Sequence, residues 1–211
     1  MAEISHDPAM QNAIYLASNS PRRRELLRQI GVRFDVLLFR GGARADHDVD
    51  ETPHPDEAPE AYVQRVALAK AEGGMQRVLW RHLPQRPVLS ADTTLEVDGQ
   101  IIGKPNSAEH ASEILRALSG RAHLVHTAIA LTDAQRTEHC LNTNRVRFRT
   151  LSETDIRRYI ATGEPMDKAG AYGIQGRAAM FVEHIEGSYT GIMGLPLFDT
   201  AALLERFGLA P

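Results

Sequence analysis

Asp98-Gly99, set between L-E-V at 95–97 and Q-I-I at 100–102, constrains this chain more than any other pair of residues. A two-residue type I′ turn needs positive φ at both central positions, and its twist matches that of the strands it joins; Asp-Gly satisfies both demands. Val97 is therefore expected opposite Gln100 and Leu95 opposite Ile102. One step further out, Thr93 would face Lys104, bringing Asp92 beside that lysine at the open end of the hairpin. Strands and helices otherwise alternate, so the expected class is α/β, and the hairpin argues for a mixed rather than a purely parallel sheet.

A second constraint lies near the start. Ile14 to Ala17 is a short apolar run suited to a buried strand, and Ser20 with Pro21 supplies an N-cap and a first helical residue. Leu26, Leu27 and Ile30 share one helical stripe, and Gly31 stands where a left-handed residue would close the helix. Arg22, Arg23 and Arg24 crowd the positive end of that helix, where each charge should cost about 0.3–1 kcal/mol. Two readings stand: a bound anion reverses that sign through exposed N–H groups and guanidinium forks, or three solvated arginines carry no function.

Further strands are expected at Val32–Phe39, Val88–Ala91, His123–Leu131, Arg145–Arg149 and Phe181–Ile185. Helices are expected over Pro59–Glu72, after Asn106 with Glu109 as a capping box, after Ser152 with Asp155, and over Leu195–Phe207. Residues 40–60 read as a long acidic surface loop, either a binding loop or a spacer. Lys70 falls on the same helical face as Val66 and Ala67, so it must reach out to solvent or meet an anion within the fold. His123 and His126 point to opposite faces of their strand, a poor metal pair that reads as ordinary structural histidine. Residues 163–176 carry Gly170, Gly173 and Gly176, a density that marks a sharply bent loop or close approach to a ligand.

Composition narrows the classes. A net charge of −3 over 211 residues argues against a protein built to grip nucleic acid. Cys140 stands alone, which fits a reducing compartment, and no run approaches membrane-spanning length, so a cytoplasmic protein with no membrane partner is expected. Residues 1–13 read as a loose tail and 14–211 as one domain with two lobes. Of 24 Lys plus Arg, only Lys70, Lys104 and Lys168 are lysine, the residue that offers a compact point charge where a guanidinium fork would not fit.

No phosphate-binding P-loop is present, because G-Q-I-I-G-K-P is one residue short and has proline where the magnesium-binding hydroxyl belongs. The available parts are the arginine-loaded helix start, the scattered lysines, and carboxylates at Glu51 and Asp92. Together they describe a polyanion site completed by a divalent cation, Mg²⁺ or Mn²⁺.

Six pieces then occur in order across nearly all of residues 14–207: A-S-N-S-P-R-R-R-E-L-L; Asp50-Glu51 ahead of Y-V-Q-R-V-A-L-A-K-A; S-A-D-T with G-K-P; L-S-G; D-K-A-G-A-Y-G-I-Q-G; and G-L-P-L. In these the chain resembles the Maf family of nucleoside triphosphate pyrophosphatases. The resemblance implies an elongated mixed β-sheet flanked by helices, with two lobes around a nucleotide cleft, of the Maf and ITPase-like kind. It implies hydrolysis of a nucleoside triphosphate to the monophosphate and pyrophosphate, with a divalent metal. It makes Asp92 the proton acceptor and a metal ligand together with Glu51. Ser18, Arg22 and Arg23 would hold phosphate oxygens, and Lys70, Lys104 and Lys168 would neutralise the triphosphate. Residues 38–49, ahead of Glu51, form a longer loop than the family pattern requires.

Arg22, Thr93 and Gln175 look like the branch acting on dTTP and UTP, with Thr93 and Gln175 pairing to the pyrimidine edge. The alternative for Gln175 is that it braces its own loop. Other functional readings remain open: a pyrophosphatase for 7-methyl-GTP or a modified nucleotide, or a non-catalytic nucleotide-binding regulator of cell division. A nucleic-acid surface is the weakest of them given the acidic charge, and a homodimer is left open as the assembly.

Overall fold

A computed structural model of the protein describes residues 13–37 and 49–209. Phe39, the acidic run through Asp46 and Asp48, and most of the expected tail lie outside the described residues, and Ala13 already belongs to the first strand. Strand β1 (Ala13–Leu16) is buried along its whole length. Helix α1 (Pro21–Gln29) starts as its sequence requires: the Ser20 hydroxyl accepts from the Arg23 N–H, and Pro21 fills a position whose N–H would be unpaired anyway. Gly31, at φ +74°, turns the chain into β2 (Arg33–Val36), which runs parallel to β1.

Helix α2 (Pro59–Trp80) continues past Glu72, the expected end, through Gly73 and Gly74. Gly74 is a point of close approach, because a Cβ there would lie 2.7 Å from Val88 Cγ1 and 3.2 Å from the Ala17 Cβ. The glycine lets the helix lie down on the sheet.

Strand β3 (Val88–Val97) is a single ten-residue element, and it turns through Asp98 (φ +52°) and Gly99 (φ +80°) into β4 (Gln100–Ile102). The register is the expected one for Val97 with Gln100 and Leu95 with Ile102. The expected continuation to Thr93 and Lys104 is not made: the ladder stops at Ile102, and the Gly103 carbonyl accepts from the Gly170 N–H instead.

β5 (Ala122–Thr132), β6 (Thr137–Phe148) and β7 (Val182–Glu186) complete a seven-stranded sheet of order β2-β1-β3-β5-β6-β7, with β4 beside β3. The pairs β2–β1 and β1–β3 are parallel, and all the others are antiparallel.

Helices α3 (Ala108–Leu118), α4 (Glu153–Ile160), α5 (Tyr189–Ile192) and α6 (Leu197–Arg206) follow in chain order among the strands. The expected capping box after Ser152 forms with Asp155. Helix α3 is capped by Ser107 rather than Asn106, whose side chain meets the His110 ring. Three 3-10 segments, Glu164–Asp167, Ala169–Ala171 and Arg177–Phe181, shape the glycine-rich stretch.

The largest buried apolar groups sit at opposite ends of the sheet. One joins Leu95, Leu115, Phe148, Ile156 and Phe181; the other joins Ile14, Leu27, Leu89, Leu131 and Leu203. β3 spans both. Its edge toward β5 is paired from Val88 to Glu96. On its other edge β1 takes only Val88 and Leu89, and β4 takes only Leu95 to Val97. Among the described residues no strand covers Ser90 to Thr94 on that side, so the sheet opens there.

His123, on β5, is buried edge-on against Phe148 and Tyr172, with Nε2 2.8 Å from the Tyr172 hydroxyl. Burial lowers its pKa to about 4. Between an unfolded value near 6.5 and about 4 the unfolded chain binds a proton that the folded one refuses, so stability falls as pH falls through that window. The loss should approach about 3 kcal/mol. Urea midpoints measured from pH 7 to 4 should fall more steeply for the parental protein than for His123→Leu; equal slopes would refute the assignment.

Candidate active site

The opening in the sheet is the floor of a cleft of about 1350 Å³, walled by the start of α1, the loop around Glu51, α2, and the glycine-rich loop. Asp92 lies mid-way along β3 on the unpaired stretch and is 8% exposed. A buried carboxylate needs a partner. Lys70, on the face of α2 that covers β3, supplies one: its Nζ lies 2.8 Å from Asp92 Oδ1 and 2.9 Å from Glu51 Oε1. The apolar-face lysine thus meets anions within the fold. The contact is set one turn earlier, where the buried Ser90 hydroxyl donates to the Ala67 carbonyl at 2.7 Å and ties β3 to α2.

A second group forms on the other face of β3. Arg23 Nε donates to the Gly194 carbonyl at 2.8 Å, Nη1 to Ser18 Oγ at 3.1 Å and Nη2 to Thr93 Oγ1 at 3.2 Å. Burial pulls the Arg23 pKa below the ordinary guanidinium value and the Asp92 charge opposes that shift, so the group stays cationic. Thr127 Oγ1 donates to the Gly191 carbonyl at 2.8 Å, which leaves Thr93 to donate to Thr127 across 2.9 Å. The Thr93 hydroxyl, expected to read a base, is therefore engaged as a link from Arg23 to Thr127.

The rim is cationic. Arg22 and Lys104 line the cleft without a hydrogen bond or ion pair among the described residues, and the Arg22 charge acts on Asp167. Lys104 is exposed and is not the neighbour of Asp92 that the hairpin count placed there; Lys70 holds that position. Lys168 Nζ donates to the Glu164 carbonyl at 2.6 Å and pairs with Asp167, whose carboxyl it holds below the usual range. Gly173 packs beside it, where a Cβ would stand 2.9 Å from Lys168 Cε at the flexible end of that side chain. Gln175 is exposed and does not line the cleft, although its neighbours Gly173 and Ile174 do.

Glu51 and Asp92 offer hard oxygen donors that converge where the fold already seats an ammonium, which suits Mg²⁺ or Mn²⁺. A further group able to hold a cation, Glu60, Glu96 and His126, has ligand atoms within 4.8 Å of one another but does not line the cleft. Sequence reading missed it because its members come from α2, β3 and β5, with no shared period to link them. It also missed Tyr62 as a polar residue, since its spacing with Val63 and Val66 marks only an apolar face; its hydroxyl donates to the Glu51 carbonyl at 2.9 Å.

The family profile described as Maf-like protein matches residues 13–207. The dTTP/UTP pyrophosphatase of Aromatoleum aromaticum is 66% identical over 200 residues, covering 94% of this chain and 97% of that protein. The dTTP/UTP pyrophosphatases of Dechloromonas aromatica and Nitrosomonas europaea are 58% and 54% identical, each over 94% of this chain and over 98% and 96% of their own lengths. Among solved structures, the Staphylococcus aureus Ham1 protein matches with a TM-score of 0.52 over 92% of this chain and 99% of that one, at 17% identity, a likeness of fold alone.

Tripolyphosphate with Mg²⁺ should bind this cationic rim and, at about 100 times its Kd, stabilise the fold by roughly 2.7 kcal/mol. That corresponds to a Tm rise of about 5–10 °C. Arg22→Ala and Lys104→Ala should each shrink the rise; an undiminished rise in both variants would place the anion elsewhere.

Proposed function

The chain belongs to the Maf-like protein family, and from that premise we propose that it hydrolyses dTTP and UTP to the nucleoside monophosphate and pyrophosphate. The observation that carries the reading is the pairing of Asp92 with Lys70 on the unpaired edge of β3, inside a cleft rimmed by Arg22, Lys104 and Lys168.

The chemistry is in-line displacement at the α-phosphorus. Asp92 takes the proton of the attacking water, and the bond to the bridging oxygen of the β-phosphate breaks, releasing pyrophosphate. Negative charge grows on that leaving oxygen, and cations already in place lower its cost most. Arg22, Lys104 and Lys168 fill this role from the rim, and Ser18 offers its hydroxyl hydrogen to a phosphate oxygen while accepting from Arg23. Lys70 holds the Asp92 carboxylate in a fixed direction. Glu51 and Asp92 would hold Mg²⁺ or Mn²⁺, which when bound neutralises phosphate charge.

The preference for a pyrimidine rests on the three relatives with that printed activity, since Arg22 and Thr93 line the cleft and Gln175 does not. On this reading the two large apolar groups are the two lobes of one domain, meeting at the cleft. We place the enzyme in the cytoplasm, where its substrates are made; no helix among the described residues is long and apolar enough to cross a membrane.

The test is pyrophosphate release from dTTP, UTP, CTP and 7-methyl-GTP by the protein and by Asp92→Asn. The parental protein should favour dTTP and UTP, act weakly on CTP and leave 7-methyl-GTP nearly untouched. Asp92→Asn should remain folded, with Glu51 still pairing Lys70, and lose about 10²–10⁴-fold in kcat. A preference for the methylated purine would refute the substrate class, and an undiminished kcat in Asp92→Asn would refute the role of Asp92.

A further inference from the structure

Glu51 reaches Lys70 from a loop. Residues 49–54 have no regular secondary structure, and the Glu51 side chain is 56% exposed, so packing does not hold it. Helix α2 does. The carbonyls of three consecutive residues are each taken by one of its side chains: Asp50 by Arg65 Nη1 at 3.3 Å, Glu51 by the Tyr62 hydroxyl at 2.9 Å, and Thr52 by Arg65 Nη2 at 3.0 Å.

Tyr62 and Arg65 stand one helical turn apart on the same flank, and the guanidinium lies 5.6 Å from the Tyr62 ring centroid. Arg65 also closes a two-pronged pair on Glu57, at 2.6 Å and 2.7 Å. One side chain thus grips the loop on both sides of Glu51 and again six residues on. Only the arginine fork offers enough donors in a fixed plane for this; a lysine ammonium cannot replace it.

We propose that Arg65 is a positioning residue for catalysis, which by fixing the backbone on either side of Glu51 sets that carboxylate against Lys70 and the cation it shares with Asp92. The inference rests on the pyrophosphatase reading of the site. The clamp persists at working pH: the Arg65 guanidinium holds the Glu57 carboxyl down to about 2, so the pair stays ionised until far into acid. Arg65 touches neither substrate nor metal in this role and acts through Glu51 alone.

The test compares the full-length protein with Arg65→Met, Arg65→Lys, Glu51→Gln and the double variant Arg65→Met/Glu51→Gln. Four quantities are measured: Tm, hydrogen exchange of residues 50–57 without nucleotide or metal, kcat for dTTP, and the Mn²⁺ concentration for half-maximal activity. Mn²⁺ affinity is read separately by calorimetry with a non-hydrolysable α,β-methylene analogue of UTP.

Arg65→Met should speed exchange across residues 50–57 and lower kcat by about 10–100-fold, as loss of placement does. It should also weaken Mn²⁺ binding by about tenfold, and Arg65→Lys should restore little of either. Adding Glu51→Gln should cost little more, because both changes remove one interaction. Faster exchange and a lower Tm with unchanged kcat and Mn²⁺ affinity would leave Arg65 a structural residue and overturn the proposal, as would losses that multiply with those of Glu51→Gln. If Arg65→Met does not fold, Tyr62→Phe, which removes one of the three carbonyl bonds, should shift Mn²⁺ affinity in the same direction, and no shift would overturn the proposal. A parental protein that releases no pyrophosphate overturns the functional reading itself, whereas an active parent with an indifferent Arg65→Met overturns this inference alone.

Discussion

The Lys70 ammonium, seated between Asp92 and Glu51, is the contact on which the site depends. An ionised carboxylate as enclosed as Asp92 is strongly disfavoured without a partner, and a lysine on the sheet-facing side of α2 is equally out of place without an anion. Each resolves the other's cost. The pair also defines the chemistry, because a carboxylate fixed in direction can receive a proton from water, while the converging oxygens suit a hard cation.

That contact holds only if α2 lies close on β3. Two features bring it down: the Ser90 hydroxyl bond to the Ala67 carbonyl, and Gly74 resting on Val88 where any side chain would collide. The sheet completes the arrangement by what it leaves out. β1 ends opposite Leu89 and β4 reaches only as far as Leu95, so the stretch of β3 that bears Asp92 and Thr93 faces a cavity on one edge while β5 anchors the other. A strand secured on one side and open on the other gives a rigid base for catalytic groups beside free space for a substrate.

What could be read in the sequence was what local chemistry decides. The Asp98-Gly99 turn, the Ser20-Pro21 start of α1 and the Ser152–Asp155 box each depend on a few adjacent residues, and each stands as expected. Failures came where distant parts meet. Helix α2, expected to end at Glu72, runs on to Trp80 because Gly74 seats it against Val88 and Ala17. Lys104 counts out next to Asp92 only while the hairpin ladder runs on; the Gly170 N–H takes the Gly103 carbonyl and the strand turns away. Lys70 stands out in the sequence because its face is apolar, yet its second partner, Glu51, reaches it through a loop held by Tyr62 and Arg65, a tie with no periodic signature.

The geometry makes Lys70 a bridge that only a compact ammonium can form, in a side chain 15% exposed and within 2.9 Å of two carboxylates. The most direct measurement is therefore kcat for dTTP in Lys70→Arg, with Tm recorded on the same sample. A folded variant that keeps the positive charge but loses about 10–100-fold in kcat is the expected result. A folded Lys70→Arg running at the parental rate would show that charge alone suffices and would contradict the account.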